Sequence, residues 1–334
     1  MFDQSLIEVE TSEVDIGLSI RDKIQRYGVC IVKSVLNTTE SDALFCGITD
    51  TLSYASSNFE IPFDIRDPKT WKSVFGLKPT KGMMYQSFGL GQCQTLWNLR
   101  CNQKIIDVYN SFYGLPNGSK ELLCSFDAFS FLCPPEVTKK WYDDENWYHF
   151  DHNLDNHNFE TLQSWVTATD VNSDDATLSV LIYSNLLHSR VRSCTGVDIK
   201  GDFVMMKDYV EEFKKTGCIE HRISCPKGSL VLWDSRLLHY GAHPIKGRST
   251  HNFRCVAYIC YSPRSLATKE ALDIKLEALT IRSKNGFLRT TNHFPHRPKL
   301  FPDCHYLTPK VAISKVKPLP SPLIPIDFRF LTGI

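Results

Sequence analysis

Between residues 120 and 262 the apolar residues come in short runs separated by turn signals, and this spacing limits the possible folds more than any other feature. Leu122 to Phe131, Leu162 to Asp170, Ser179 to Tyr183, Leu230 to Trp233 and Asn252 to Tyr261 each read as strand. The last run is the clearest, and Pro226-Lys227-Gly228-Ser229 marks a turn before Leu230. In Leu162 to Asp170 the alternation puts Gln163, Trp165, Thr167 and Thr169 on one face. Many short strands joined by turns bury their apolar faces as a sandwich or barrel.

Helical spacing flanks this region. Ile16, Ile20, Ile24 and Tyr27 recur at helical intervals before a candidate C-cap, Gly28. Val29 to Val32 reads as a buried strand, and Asn37-Thr38-Thr39-Glu40 as a helix start continued by Leu44 to Leu52. Thr95 to Tyr113, Asp208 to Thr216 and Leu266 to Leu279 also have helical character. Pro318, Pro320, Pro322 and Pro325 imply an extended surface strap. The expected class is mixed α/β with an all-β core, in a single domain over 1–334. Residues 1–119 form a helical N-terminal elaboration, 120–262 the core, and 263–334 a C-terminal helix and Pro-rich strap.

Composition narrows the function. A net charge of +1 gives no electrostatic footprint for nucleic acid or an anionic membrane, so neither is expected as a partner. No run approaches the ~20 apolar residues that span a bilayer. Met1-Phe2-Asp3-Gln4-Ser5 is unlike a secretory signal, and Leu331-Thr332-Gly333-Ile334 is unlike a peroxisomal one. The twelve cysteines are scattered, with no Cys-x-x-Cys pair. They read as reduced, buried apolar residues of a cytoplasmic protein rather than zinc ligands. The sequence leaves the oligomeric state open.

One triplet carries chemistry. On a strand, His149 and Asp151 point to one side of Trp147-Tyr148-His149-Phe150-Asp151, with Tyr148 and Phe150 on the other. An imidazole and a carboxylate so placed can take adjacent positions on a metal. One more histidine completes the 2-His-1-carboxylate set of non-haem Fe(II) oxygenases. His188, His221, His239, His243 and His251 are available, and His239 has the best setting, at the close of a glycine turn and strand. The next strong strand holds Arg254 between Phe253 and Cys255 in a run almost free of charge. A buried arginine there needs a partner, and its planar fork suits a dicarboxylate such as 2-oxoglutarate. On an edge strand Arg254 would instead face water.

His149-x-Asp151, His239 and Arg254 together resemble the Fe(II)/2-oxoglutarate-dependent dioxygenases, and more narrowly the phytanoyl-CoA dioxygenase-like family. Ser125-Phe126-Asp127, Trp233-Asp234-Ser235-Arg236, Val256-Ala257-Tyr258 with Cys260, Pro263 and Arg264, and Thr290 to Pro295 resemble one microbial branch of it. The resemblance implies a double-stranded β-helix, a jelly-roll barrel of the cupin kind, with helices packed against it. It implies Fe(II) held by His149, Asp151 and His239, O2 as oxidant, and 2-oxoglutarate held by Arg254 with contacts from Trp165 and Gln163. Where the family often has Ser or Thr shortly after the distal histidine, this chain has Gly241, so Ser249 or Thr250 are candidates for the missing contact.

The implied reaction couples decarboxylation of 2-oxoglutarate to hydroxylation, or a related oxidation, of a small organic substrate. Asp151 argues against halogenation, which needs that position for halide. Cys260 stands where nucleic-acid demethylases of the superfamily carry a second arginine. A protein or peptide hydroxylase is an alternative enzyme reading, and an inactive cupin-like binding module the alternative without catalysis.

Overall fold

The computed structural model describes residues 2–142, 146–280, 293–299 and 315–333. Its strands, in chain order, are β1 (Glu8–Glu10), β2 (Val29–Lys33), β3 (Met84–Tyr85), β4 (Leu122–Cys124), β5 (Phe129–Leu132), β6 (His149–Phe150) and β7 (Leu162–Thr167). They continue as β8 (Thr177–Ile182), β9 (Val204–Met205), β10 (Ile219–Arg222), β11 (Leu230–Asp234), β12 (His239–Ala242), β13 (Arg254–Tyr258) and β14 (Tyr261–Pro263). A seven-stranded sheet runs β1-β2-β11-β7-β13-β5-β3, and a five-stranded sheet runs β10-β8-β12-β6-β9. Apart from the parallel β1–β2 pair, the strand pairings among the described residues are antiparallel. The architecture is mixed α/β, dominated by a large, mostly antiparallel sheet.

The two sheets face each other. Trp165, Val231 and Val256 of the large sheet share one buried cluster with Leu178, Val180 and Ile182 of β8. That is why β7 is buried along its whole length. One face meets the small sheet; the other meets helices. Against that second face pack α1 (Ile16–Tyr27), α2 (Thr38–Ala55), α3 (Gln94–Arg100) and α4 (Gln103–Tyr113), through Ile20, Ile48, Trp97 and Tyr109 among others.

Local signals explain the helix boundaries. Gly28 ends α1 in the left-handed conformation at φ 79°, which glycine adopts without a Cβ penalty. Its Cα also sits where a Cβ would meet Leu237 at 2.5 Å. Asn37 and Glu40 form a reciprocal capping box on α2. The single helix expected over 95–113 is two. Asn102 leaves helical geometry and caps α4 by accepting from the Lys104 amide. Buried Arg100, at the end of α3, donates to the carbonyls of Gly91, Ser125 and Asp127.

Two long strand readings also divide. Leu122 to Phe131 becomes β4 and β5, and Asn252 to Tyr261 becomes β13 and β14. Both breaks occur where Ser125 and Cys260 bond each other, and beyond them β14 pairs with β4 as a separate ribbon. The N-terminal region is more than a helical elaboration, since it gives β1, β2 and β3 to the large sheet. Among the described residues no helix is long and apolar enough to cross a membrane.

Candidate metal centre

His149 of β6 and His239 of β12 are register partners in an antiparallel pair. Opposed residues in such a pair send their side chains to the same face. The imidazoles therefore lie side by side, ring centroids 4.4 Å apart, and aim at the large sheet. Their neighbours Tyr148, Phe150, Leu238 and Tyr240 take the opposite face and pack with Val204 and Phe213 in a separate apolar cluster. Strand β6 ends at Phe150, so Asp151 is the first residue past it, yet it turns back to the same space. Its Oδ2 lies 3.5 Å from Nε2 of both histidines. One ligand atom from each of the three lies within 4.8 Å of the others. The run read as closing at His239 thus ends earlier, and His239 opens the next strand.

Hydrogen bonds set the donor atoms. His149 Nδ1 lies 3.1 Å from the Trp147 carbonyl and His239 Nδ1 2.8 Å from the Leu237 carbonyl. A carbonyl only accepts, so both Nδ1 atoms carry the proton and both Nε2 lone pairs face Asp151. Gln163 donates to Asp151 Oδ2 at 2.9 Å and fixes the carboxylate. Trp147 stacks on His149 with ring planes 5° apart, and Phe203 covers another side at 4.6 Å.

The electrostatics suit a metal site. Burial works to raise the Asp151 carboxyl, but His293, His149 and His239 together outweigh it and hold it well below the ordinary carboxylate range. Burial, then the neighbouring His149, lowers the His239 imidazole, which keeps it neutral and able to bind a cation. Two imidazole nitrogens and a carboxylate converging from one side form a 2-His-1-carboxylate facial set, which fits Fe(II) and leaves its other side open.

Arg254 projects from β13 into the same inter-sheet space. It is 2% exposed, and its guanidinium donates to Ser130 Oγ at 3.0 Å and to the Ala176 carbonyl at 2.9 Å. It lies 6.0 Å from the centre of the Trp165 ring. Among the described residues no carboxylate pairs with it. Trp165 Nε1 and Gln163 Oε1 are buried there and, among the described residues, have no hydrogen-bond partner. Ser249 and Thr250 are exposed and do not reach this space; the hydroxyl beside Arg254 is Ser130. Gly241 admits no side chain without movement, since a Cβ would meet Met83 Cε at 2.8 Å.

The remaining histidines are placed elsewhere. His188 packs at 5.0 Å against Phe150 on the far face of the small sheet, and His221 bonds Gln4. His243 bonds the Lys81 carbonyl, and His251 is exposed. One residue outside the sequence-derived set does reach the centre. His293 Nε2 is 3.9 Å from Asp151 Oδ2. Its only sequence signal was membership of the Thr290 to Pro295 stretch, of which Thr290 to Asn292 lie outside the described residues.

The fold and site thus define a 2-His-1-carboxylate centre between two mostly antiparallel sheets. The chain matches no family profile. It is 25% identical over 303 residues to the Ava biosynthesis cluster protein O of Aspergillus versicolor, covering 88% of this chain and 91% of the relative. Its fold is similar to that of a putative oxidoreductase from Salmonella typhimurium LT2, with a TM-score of 0.59 at 13% identity over 98% of this chain and 86% of that one. A looser likeness, TM-score 0.47 at 15% identity over 75% of this chain and 85% of the other, is to the epimerase SnoN in complex with Fe3+, alpha ketoglutarate and nogalamycin RO.

Proposed function

We propose that this chain is an Fe(II)/2-oxoglutarate-dependent dioxygenase of the phytanoyl-CoA dioxygenase-like kind, with its facing sheets as the two halves of a jelly roll in a single domain. The observation that carries the reading is Arg254, a buried guanidinium without a carboxylate among the described residues, in the space that holds the imidazole–carboxylate set. A buried unpaired cation costs several kcal/mol, and the distal carboxylate of 2-oxoglutarate would offset that cost.

His149, Asp151 and His239 would hold iron. Bound there with 2-oxoglutarate and O2, iron supplies oxidative decarboxylation to succinate and CO2 coupled to oxidation of a substrate C–H bond. The chain does the rest. The Trp147 and Leu237 carbonyls hold the imidazole tautomers, and Gln163 holds the carboxylate. Arg254 anchors the co-substrate beside Trp165, whose free Nε1 can donate to it. Burial of both histidines and Arg254 keeps bulk water from the reacting groups. The relative's place in a biosynthesis cluster supports a small organic substrate. Hydroxylation is the proposed outcome, and the free thiols fit a reducing, cytoplasmic setting.

The reading is tested by supplying Fe(II), O2 and 2-oxoglutarate and measuring succinate. Even without substrate, slow uncoupled turnover is expected, and Asp151→Ala should abolish it. Succinate release that persists unchanged in Asp151→Ala overturns the assignment.

A further inference from the structure

Residues 293–299 lie against the metal centre and are tied down on both sides of the strand that carries His149. Phe294 is fully buried. Arg297 sits 3.8 Å over its ring and pairs with both Glu160 and Asp202, reaching the latter at 2.8 and 3.1 Å. Lys299 adds a third bond to Asp202, and His296 lies 3.4 Å from Glu160. Glu160 belongs to the loop leaving β6, and Asp202 to the loop entering β9, the strand paired with β6. A short ionic clasp therefore spans the centre's two flanking loops.

At the start of this clasped segment is His293. Its Nε2 is buried and, among the described residues, has no hydrogen-bond partner. It lies 3.9 Å from Asp151 Oδ2, too far for a hydrogen bond. The set of mutually close ligand atoms comprises His149, Asp151 and His239 and does not extend to it. A buried ring nitrogen left unpaired costs about 1–3 kcal/mol unless a partner arrives. Here the partner must be small and must lie beside the three ligand atoms.

We propose that His293 hydrogen-bonds the small oxygen- or nitrogen-donor ligand that fills the open side of the metal, and that the Glu160–Arg297–Asp202 clasp holds it in place to do so. This rests on the reading of His149, Asp151 and His239 as metal ligands. His293 is a positioning residue for an exogenous ligand and not a fourth metal ligand.

The test uses the full chain loaded with Co(II), whose visible spectrum reports coordination, and azide as the exogenous ligand. His293→Ala should keep Co(II) affinity within about threefold and weaken azide about tenfold, the worth of one hydrogen bond. His293→Gln, which retains an N–H donor, should recover most of that loss. Arg297→Ala, which touches neither metal nor azide, should weaken azide as much as His293→Ala does. Unchanged azide affinity in His293→Ala overturns the proposal. So does a hundredfold loss of Co(II) affinity matching that of His149→Ala, which would make His293 a ligand. Unchanged azide affinity in Arg297→Ala removes the clasp from the account. Failure of the unaltered protein to bind Co(II) would instead overturn the metal centre itself.

Discussion

Replacing Arg254 with methionine separates the co-substrate role proposed for this residue from any structural one. In the ligand-free protein the guanidinium makes two bonds, to Ser130 Oγ and to the Ala176 carbonyl. Ser130 also donates to the Met83 carbonyl, so the variant leaves chiefly the Ala176 oxygen without its donor. That loss costs about 1–3 kcal/mol. Removing a buried charge that no carboxylate among the described residues balances returns several kcal/mol. Arg254→Met should therefore be no less stable than the parent without ligand. Binding should suffer instead. Two charge-assisted hydrogen bonds to a carboxylate are worth about 3–5 kcal/mol, or roughly two to three orders of magnitude in affinity. Thermal unfolding with Mn(II), with and without 2-oxoglutarate, reads both effects. At one hundred times its dissociation constant the co-substrate stabilises the parent by about 2.7 kcal/mol, which is several degrees. The variant should show a melting temperature equal to or above the parent's and no shift with 2-oxoglutarate. A variant that melts well below the parent, or that keeps the ligand-induced shift, refutes the reasoning.

Three further predictions concern stability. Burial, with His152 and Arg236 nearby, depresses the His188 imidazole to about 3. Its contribution is fully present above the unfolded value near 6.5 and is lost as pH falls toward 3, a loss of up to about 4–5 kcal/mol, so chemical denaturation of His188→Leu should be much less sensitive to pH across that window. Burial likewise depresses Lys275 from 10.5 to about 8. The unfolded chain then binds the extra proton between those values, so stability rises with pH from about 8 to 10.5, and Lys275→Met should remove that rise and be up to about 3 kcal/mol more stable at pH 7. Asn37→Ala breaks the capping box of α2 and should cost about 1 kcal/mol in a urea melt.

The residues that meet at the centre were more legible in the sequence than the strand and helix boundaries. The His149-x-Asp151 spacing marked two residues that do meet, although Asp151 lies just past β6 and turns back to the space, and the pairing of His149 with His239 appears only in the fold. Arg254 stood out as a charge in an apolar run and is buried. Spacing could not show where strands break. The divisions at Ser125 and Cys260 depend on hydrogen bonds between segments 135 residues apart. The helix break comes at Asn102, whose extended backbone and side-chain cap start α4, just past the buried Arg100 that binds the carbonyls of Gly91, Ser125 and Asp127. Ser249 and Thr250 looked suitable by position but lie on the surface, while Ser130 comes from β5 on the neighbouring side of β13. His293 was least legible, because ion pairs to Glu160 and Asp202 bring its segment to the centre and no periodicity encodes them.

The most direct measurement of the central claim is an anaerobic titration of the full chain with Fe(II) and 2-oxoglutarate, followed in the visible spectrum. A metal-to-ligand charge-transfer band should appear only when both are present and should vanish in His239→Ala. No band from the unaltered protein, or a band that survives His239→Ala, would contradict the account.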